Sequence, residues 1–298
     1  MTELAGVIPI TVTPFDETGR VDEESIATLV EFEIRCGVHG LNVLGIMGEA
    51  HKLTDPERQR VAEIFLKHVA GRLPVVVGAS HGGTGAVIEL SQAAEAAGAA
   101  AVMVAPPIGL RGADAILAHY RDVAAAIRIP VVVQDEPVTT GVLMPPELLA
   151  RIAAEVEGCR YVKLEEPPTP TKTTALRRLP GGDRLRIFGG MNAMYFIEEL
   201  RRGAAGIMTG FAFPDILVDV YTRFRAGDAA GAAAVYDRYA SFIRYEGQQG
   251  IGLALRKEVL RRRGAIRTGF VRPPGPRLDD ITRAELGDIL ARMGLLDR

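Results

Sequence analysis

The stretch YVKLEEPPTP, residues 161–170, places Lys163 between Val162 and Leu164 in a run that otherwise reads as a buried strand. Side chains alternate across a strand, so Tyr161, Lys163 and Glu165 share one face while Val162 and Leu164 share the other. A strand with an aliphatic back and a lysine in front fits a closed sheet whose back packs on helices and whose front faces a lumen. The lysine is no ordinary surface charge. The chain holds five lysines, Lys52, Lys67, Lys163, Lys172 and Lys257, against thirty arginines, so its usual solvated cation is arginine.

Outward from this strand, short β-branched runs alternate with longer helical segments, and the alternation repeats eight times. Strands are expected at 6–13, 40–45, 74–79, 100–105, 129–134, 161–165, 186–190 and 206–210. Helix signals lie between them. VDEESIATLVEFEIRCG (21–37) carries acids in its first turn and a glycine stop, and TDPERQRVAEIFLKHVAG (54–71) has an N-cap Thr or Asp, Pro in its first turn and a closing glycine. Eight strand and helix pairs with nearly continuous apolar strands predict an α/β fold, a (β/α)8 TIM barrel with both faces of its sheet covered. About 250 residues suffice for such a barrel as one domain. A doubly wound open sheet is the alternative, but no G-x-G-x-x-G follows the first strand and no Walker motif occurs. The barrel is expected over 1–225 and a helical segment packed on it over 226–298, broken by the Pro-rich VRPPGPRLDD (271–280).

Composition narrows the class. Hydrophobic residues at 48% and charged residues at 24% suit a globular chain, and the apolar runs are too short and too interrupted to span a bilayer. The N-terminus MTELAGVIPITVTPF has no basic n-region, so no signal peptide is expected and a cytoplasmic location is. A net charge of −2 gives no reason to expect nucleic acid, and Arg261–Arg263 reads as a solvated helix face. Cys36 and Cys159 make no disulfide framework, and the five histidines show no metal-ligand spacing. Lys163 would lie near the C-terminal mouth of the barrel, where enzymes of this fold keep their sites. A lysine among apolar walls is costly to keep charged, which favours the nucleophilic free amine; a structural lysine paired with Glu165 or Glu166 is the other reading.

GVIPITVTPFDETGRVDEE, LGIMGEAHKLTDPER, RIPVVVQDEPVTTG and YVKL, in this order and spacing, resemble the dihydrodipicolinate synthase and N-acetylneuraminate lyase superfamily of class I aldolases. The likeness covers residues 5–298. It implies an imine between Lys163 and a 2-keto acid with no further cofactor and no metal, and a homotetramer as partner state. The synthases' Gly-Thr-Thr-Gly-Glu loop reads Gly45, Ile46, Met47, Gly48, Glu49 here, so backbone N–H groups remain to hold a ketoacid carboxylate but both hydroxyls are gone. Their Tyr-Asn-x-Pro after strand five reads Gln134, Asp135, Glu136, Pro137; Ile108 replaces their interfacial tyrosine and Thr139 their substrate arginine. LGIMGEAHKLT, VKLEEPP, FGGMNAMYFIEELRRGAAGIMTGFAFPD and GLALRKEVLRRRGA look most like the branch that dehydrates 2-keto-3-deoxy sugar acids such as 2-keto-3-deoxy-L-arabinonate.

The expected site therefore has Lys163 as imine former and Glu165 as proton carrier, with Gly45, Ile46, Met47, Gln134 and Met208 against the substrate. Glu49 is expected to brace its loop, Tyr161 to fill the barrel beneath the lysine, and Asp135 and Glu136 to bind substrate hydroxyls or cap the next turn. His51 is the alternative titrating group. Retro-aldol cleavage, a divergent dihydrodipicolinate synthase and a silent ketoacid-binding paralogue are the other functions the residues allow.

Overall fold

The computed structural model describes residues 3–295. Eight parallel strands form one sheet: β1 (Gly6–Pro9), β2 (Leu41–Val43), β3 (Val75–Gly78), β4 (Ala101–Val104), β5 (Val131–Asp135), β6 (Tyr161–Leu164), β7 (Arg186–Gly189) and β8 (Gly206–Thr209). Their order is β1-β8-β7-β6-β5-β4-β3-β2. The ring closes between its two ends through a parallel bridge of Ile10 to Asn42, where the Thr11 N–H donates to the Asn42 carbonyl at 2.9 Å. The (β/α)8 barrel expected from the alternation is therefore the fold. The first strand is shorter than its apolar run: its pairing with β8 runs through Pro9, and beyond it the Ile10 N–H donates to the Thr209 carbonyl at 3.0 Å while Ile10 bridges to Asn42.

Helices α1 (Glu23–Arg35), α2 (Asp55–Val69), α3 (Thr84–Ala96), α4 (Ala113–Ala125), α5 (Pro137–Thr140), α6 (Pro146–Glu155), α7 (Thr169–Arg178), α8 (Phe196–Arg201) and α9 (Pro214–Arg225) connect and follow the strands. Their ends are written in the sequence. Asp22 caps α1 by accepting from the Ser25 N–H, and Thr54 and Glu57 form a reciprocal capping box on α2. Such caps each contribute about 1 kcal/mol. Three further helices follow the barrel: α10 (Ala229–Glu246), α11 (Gly252–Arg262) and α12 (Asp280–Arg292).

Alternation along the strands makes two cores. Val162 and Leu164 join Val131, Val133 and Ile187 in the layer between sheet and helices. Inside the ring sit Ile8, Ile10, Val76, Ala101, Met103, Val132, Phe188 and Met208, with Leu4 and Tyr161 packed on them. The Tyr161 hydroxyl accepts from the Leu4 N–H at 3.4 Å, so tyrosine fills the barrel as expected. The lumen below the Lys163 layer is filled mainly by these apolar side chains, with buried Asn42 among them donating Nδ2 to Met103 Sδ. Arg263 departs from the solvated face expected for the arginine run: its guanidinium stacks over Phe32 and Phe213 at 4.6 and 4.3 Å. No helix among the described residues is long and apolar enough to cross a membrane.

Candidate active site

Strand register brings the mouth together. Gln134 on β5, Lys163 on β6 and Phe188 on β7 stand in one row. Lys163 is 5% exposed, and its Nζ lies 2.9 Å from Oε2 of Glu165. That same oxygen accepts a hydrogen bond from Gln134 Nε2 at 3.0 Å. Glu165 follows the last residue of β6, where its N–H donates to the Asp135 carbonyl at 2.9 Å. Room for its side chain comes from Gly190: a Cβ there would lie 2.6 Å from Glu165 Cγ. Apolar walls were the sequence expectation for the lysine, and the structure corrects it. The floor is apolar, but the amine points at a carboxylate, its ion-pair partner among the described residues, which is the pairing with Glu165 that the other reading of the sequence allowed.

The loop after β2 faces the mouth from the other side. Leu44 (φ 60°) and Glu49 (φ 55°) adopt left-handed backbone around the tight turn Ile46–Gly48. Gly45 is needed for close approach, since a Cβ would meet Ile10 Cγ2 at 2.7 Å. Met47 packs against the inner cluster while Ile46 is 36% exposed. The Ile46 and Met47 amides have no hydrogen-bond acceptor among the described residues, as the first amides of a turn commonly do not. Thr13 Oγ1 donates to the Gly48 carbonyl at 2.6 Å. Glu49 braces the loop: fully buried, it takes Lys52 Nζ at 2.9 Å and the Arg272 N–H at 3.0 Å on one oxygen and Lys257 Nζ on the other. His51 is exposed in the turn Ala50–Lys52.

Behind β5 and β6 lies a charged layer. Lys172 on α7 places Nζ 2.7 Å from Asp135 and also pairs with Glu166. Burial pushes the Asp135 carboxyl up to about 6, against the pull of Lys172. Asp135 is thus an ion-pair partner, and Glu136 is a cap whose Oε2 accepts from the Thr139 N–H at 2.9 Å. Glu199 on α8 is buried behind β7, accepts from the Thr169 hydroxyl, and is pushed up to about 8 by desolvation. Met208 lies in register with Ile8 inside the barrel, at the floor of the site. Sequence reasoning missed Lys172, Lys257 and Glu199. The scarcity of lysine that singled out Lys163 was a signal for the first two as well; Glu199 left none, because its burial depends on a glycine, Gly189, whose missing Cβ makes way for it.

Comparison with known proteins agrees with the barrel. The dihydrodipicolinate synthetase family matches residues 3–293. The chain is 37% identical to an L-2-keto-3-deoxyarabonate dehydratase of Azospirillum brasilense, over 97% of this chain and 94% of that protein. Among solved structures it resembles a dihydrodipicolinate synthase of Rhodopseudomonas palustris (TM-score 0.92, 39% identity, 97% of each chain). It also resembles a prophage protein of the dihydrodipicolinic acid synthase family from E. coli K12, solved in complex with pyruvate (TM-score 0.92, 25% identity, 99% of this chain and 100% of that one). Barrel, inward lysine and similarity over nearly the full length converge on one conclusion: the chain belongs to the dihydrodipicolinate synthetase family, lyases that work through a lysine Schiff base rather than a cofactor.

Proposed function

We propose that the protein dehydrates a 2-keto-3-deoxy sugar acid such as 2-keto-3-deoxy-L-arabinonate through an imine on Lys163. The observation that carries this is the shared Glu165 oxygen, 2.9 Å from Lys163 Nζ and 3.0 Å from Gln134 Nε2. Glu165 takes a proton from the lysine, and the free amine adds to C2 of the keto acid. Glu165 returns that proton to the carbinolamine hydroxyl, which leaves as water, and the iminium that remains makes C2 an electron sink while Glu165 is again a carboxylate. Glu165 then takes a C3 proton, and the electron pair left on C3 expels the C4 hydroxyl, which departs as water with the proton Glu165 returns. Hydrolysis of the conjugated iminium frees the product and the lysine. Gln134, which does not titrate, orients Glu165 through the whole cycle. The Ile46 and Met47 amides hold the C1 carboxylate. The 37% identity to an L-2-keto-3-deoxyarabonate dehydratase supports this substrate class.

Borohydride reduction with pyruvate is expected to add one pyruvyl-derived mass on the peptide bearing Lys163, and Lys163→Ala to abolish it. Glu165→Gln is expected to label with pyruvate to completion, though more slowly because the lysine loses its proton acceptor, while dehydration falls by about 10²-fold or more, the range for a general acid/base. Labelling of Lys163→Ala, or dihydrodipicolinate synthesis faster than dehydration in the wild type, overturns the reading. We also propose a homotetramer, supported by Ile108 after β4, Val138 on α5 and Leu143 just beyond it, exposed by 78%, 63% and 64% and brought together by the Gly109 N–H to Thr140 carbonyl bond.

A further inference from the structure

The arginine run and the Pro-rich stretch, two features of the sequence that the proposed reaction does not use, meet at a second cavity. It is a cleft of about 540 Å³ between α11, the first turn of α12 and the strap that joins them, with Phe270, Val271, Pro276 and Leu278 as its apolar wall. The charged groups on its lining are Arg261, Arg267, Arg277 and Arg283 with Glu17 and Glu258. Glu258 is 5% exposed and takes Arg261 Nε and Nη2 at 3.0 Å each and Arg262 Nε at 2.8 Å, while Arg283 Nη1 lies 3.5 Å away. Three guanidiniums thus share one carboxylate. Burial favours its neutral form, but the bonds from Arg261 and Arg262 outweigh burial and hold the carboxyl down at about 2. Arg267 is spent on Asp22 and Glu24, and Asp279 is turned to its own helix, accepting from the Thr282 N–H at 2.7 Å. Each guanidinium has five N–H donors. Arg261 keeps those of Nη1, Arg283 makes one long contact, and Arg277 has no ion-pair or hydrogen-bond partner among the described residues. The walls are fixed in advance: Lys257 donates to the Phe270 carbonyl at 2.9 Å, Thr268 Oγ1 to the Phe15 carbonyl at 2.7 Å and the Arg267 N–H to Ser25 Oγ at 3.0 Å.

We propose that this cleft binds a small organophosphate, its phosphate on Arg261, Arg277 and Arg283 and its organic part against Phe270, Val271, Pro276 and Leu278. Guanidinium forks match phosphate oxygens two at a time, and a dianion answers several of them at once. A bare phosphate leaves the apolar wall in water, whereas an organic body covers it, and the cleft has the size of small-molecule sites, about 300–1,000 Å³. None of Gly45, Ile46, Met47, Gln134, Lys163 and Glu165 lines it, so the site is separate from the barrel mouth and needs no imine. Its occupant joins α11 to the strap whose Phe270 carbonyl holds Lys257 and whose Arg272 N–H holds Glu49.

The test is equilibrium dialysis of the full chain, in a phosphate-free buffer of low ionic strength, with two probes: phenyl phosphate and inorganic phosphate. Phenyl phosphate is expected to bind about tenfold or more tighter than inorganic phosphate, the gain from taking much of a phenyl ring out of water. Arg277→Gln and Arg283→Gln, two exposed positions, are each expected to weaken phenyl phosphate by about tenfold, the worth of a charge-assisted hydrogen bond. Lys163→Met is expected to leave the affinity unchanged, and pyruvate not to displace the probe. Equal affinity for the two probes means an adventitious ion only and overturns the inference. Binding that survives both arginine changes, or that pyruvate or Lys163→Met abolishes, overturns it as well, and so does retention of neither probe at millimolar concentration. Imine formation is not read in this experiment, so the Schiff-base reading stands or falls separately.

Discussion

At the scale of the residue, the governing quantity is charge withdrawn from water. Lys163, Lys172 and Lys257 are 5%, 8% and 0% exposed, and each has a carboxylate partner. Buried ammonium groups survive only when paired in this way. Glu33 on α1 shows the opposite solution. Its Oε2 has no hydrogen-bond partner, and burial, partly opposed by Arg263, pushes its carboxyl from 4.5 up to about 8. The folded chain therefore holds a proton there that the unfolded chain releases above 4.5. The stability this confers is complete below 4.5 and is lost as pH rises through about 8. At about 1.4 kcal/mol per pH unit, the loss has an upper bound of about 5 kcal/mol. Glu33→Gln cannot ionise, so it is expected to match the wild type in urea unfolding at pH 4 and exceed it by a few kcal/mol at pH 9. Parallel pH profiles for the two chains would refute a buried proton at Glu33.

At the scale of the element, α11 holds the mouth in shape from outside the barrel. Its adjacent residues Arg256 and Lys257 diverge by about 100° around the helix. Arg256 pairs with Glu246 at 2.7 Å and donates to Asn192 Oδ1 at 2.5 Å. Asn192 is the middle of three left-handed residues, Met191, Asn192 and Ala193 (φ 46°, 54° and 63°), that follow β7. Such backbone costs about 1–3 kcal/mol per residue and persists only where tertiary bonds hold it. Asn192 Nδ2 to the Ile243 carbonyl at 2.7 Å is another of those bonds. Lys257 donates to the carbonyls of Thr13 and Phe270 at 2.8 and 2.9 Å as well as to Glu49. Through it α11 fixes the loops after β1 and β2. Lys257→Met leaves Glu49 to Lys52 and the Arg272 amide alone and is expected to cost about 3 kcal/mol by chemical denaturation. Combined with Glu49→Gln it should cost less than the two single changes added together, since the pair acts as a unit. Strict additivity would deny the coupling.

At the scale of the whole molecule, the apolar side chains at Ile108, Val138 and Leu143 are the surface least suited to water near the mouth. Light scattering at micromolar concentration is expected to give four times the 32.0 kDa chain mass, and Ile108→Asp to shift it toward smaller species. A 32.0 kDa species in the wild type would sink the proposed assembly. The barrel itself was legible in the sequence, because strand and helix periods are local and eight alternations admit few closed arrangements. So was the lysine that faces its lumen, since a period of two assigns faces without knowledge of neighbours. The apolar setting expected for that lysine was not right, and the reason is register. Whether Lys163 meets hydrocarbon or carboxylate depends on how β5, β6 and β7 slide against one another and on the space Gly190 leaves for Glu165. Lys257 and Glu49 are 208 positions apart, and their contact exists only once the last helices dock on the barrel. Sequence alone determined which residues face the lumen; only the tertiary structure decided which charges meet there, because counter-ions are chosen by distance in space and not along the chain.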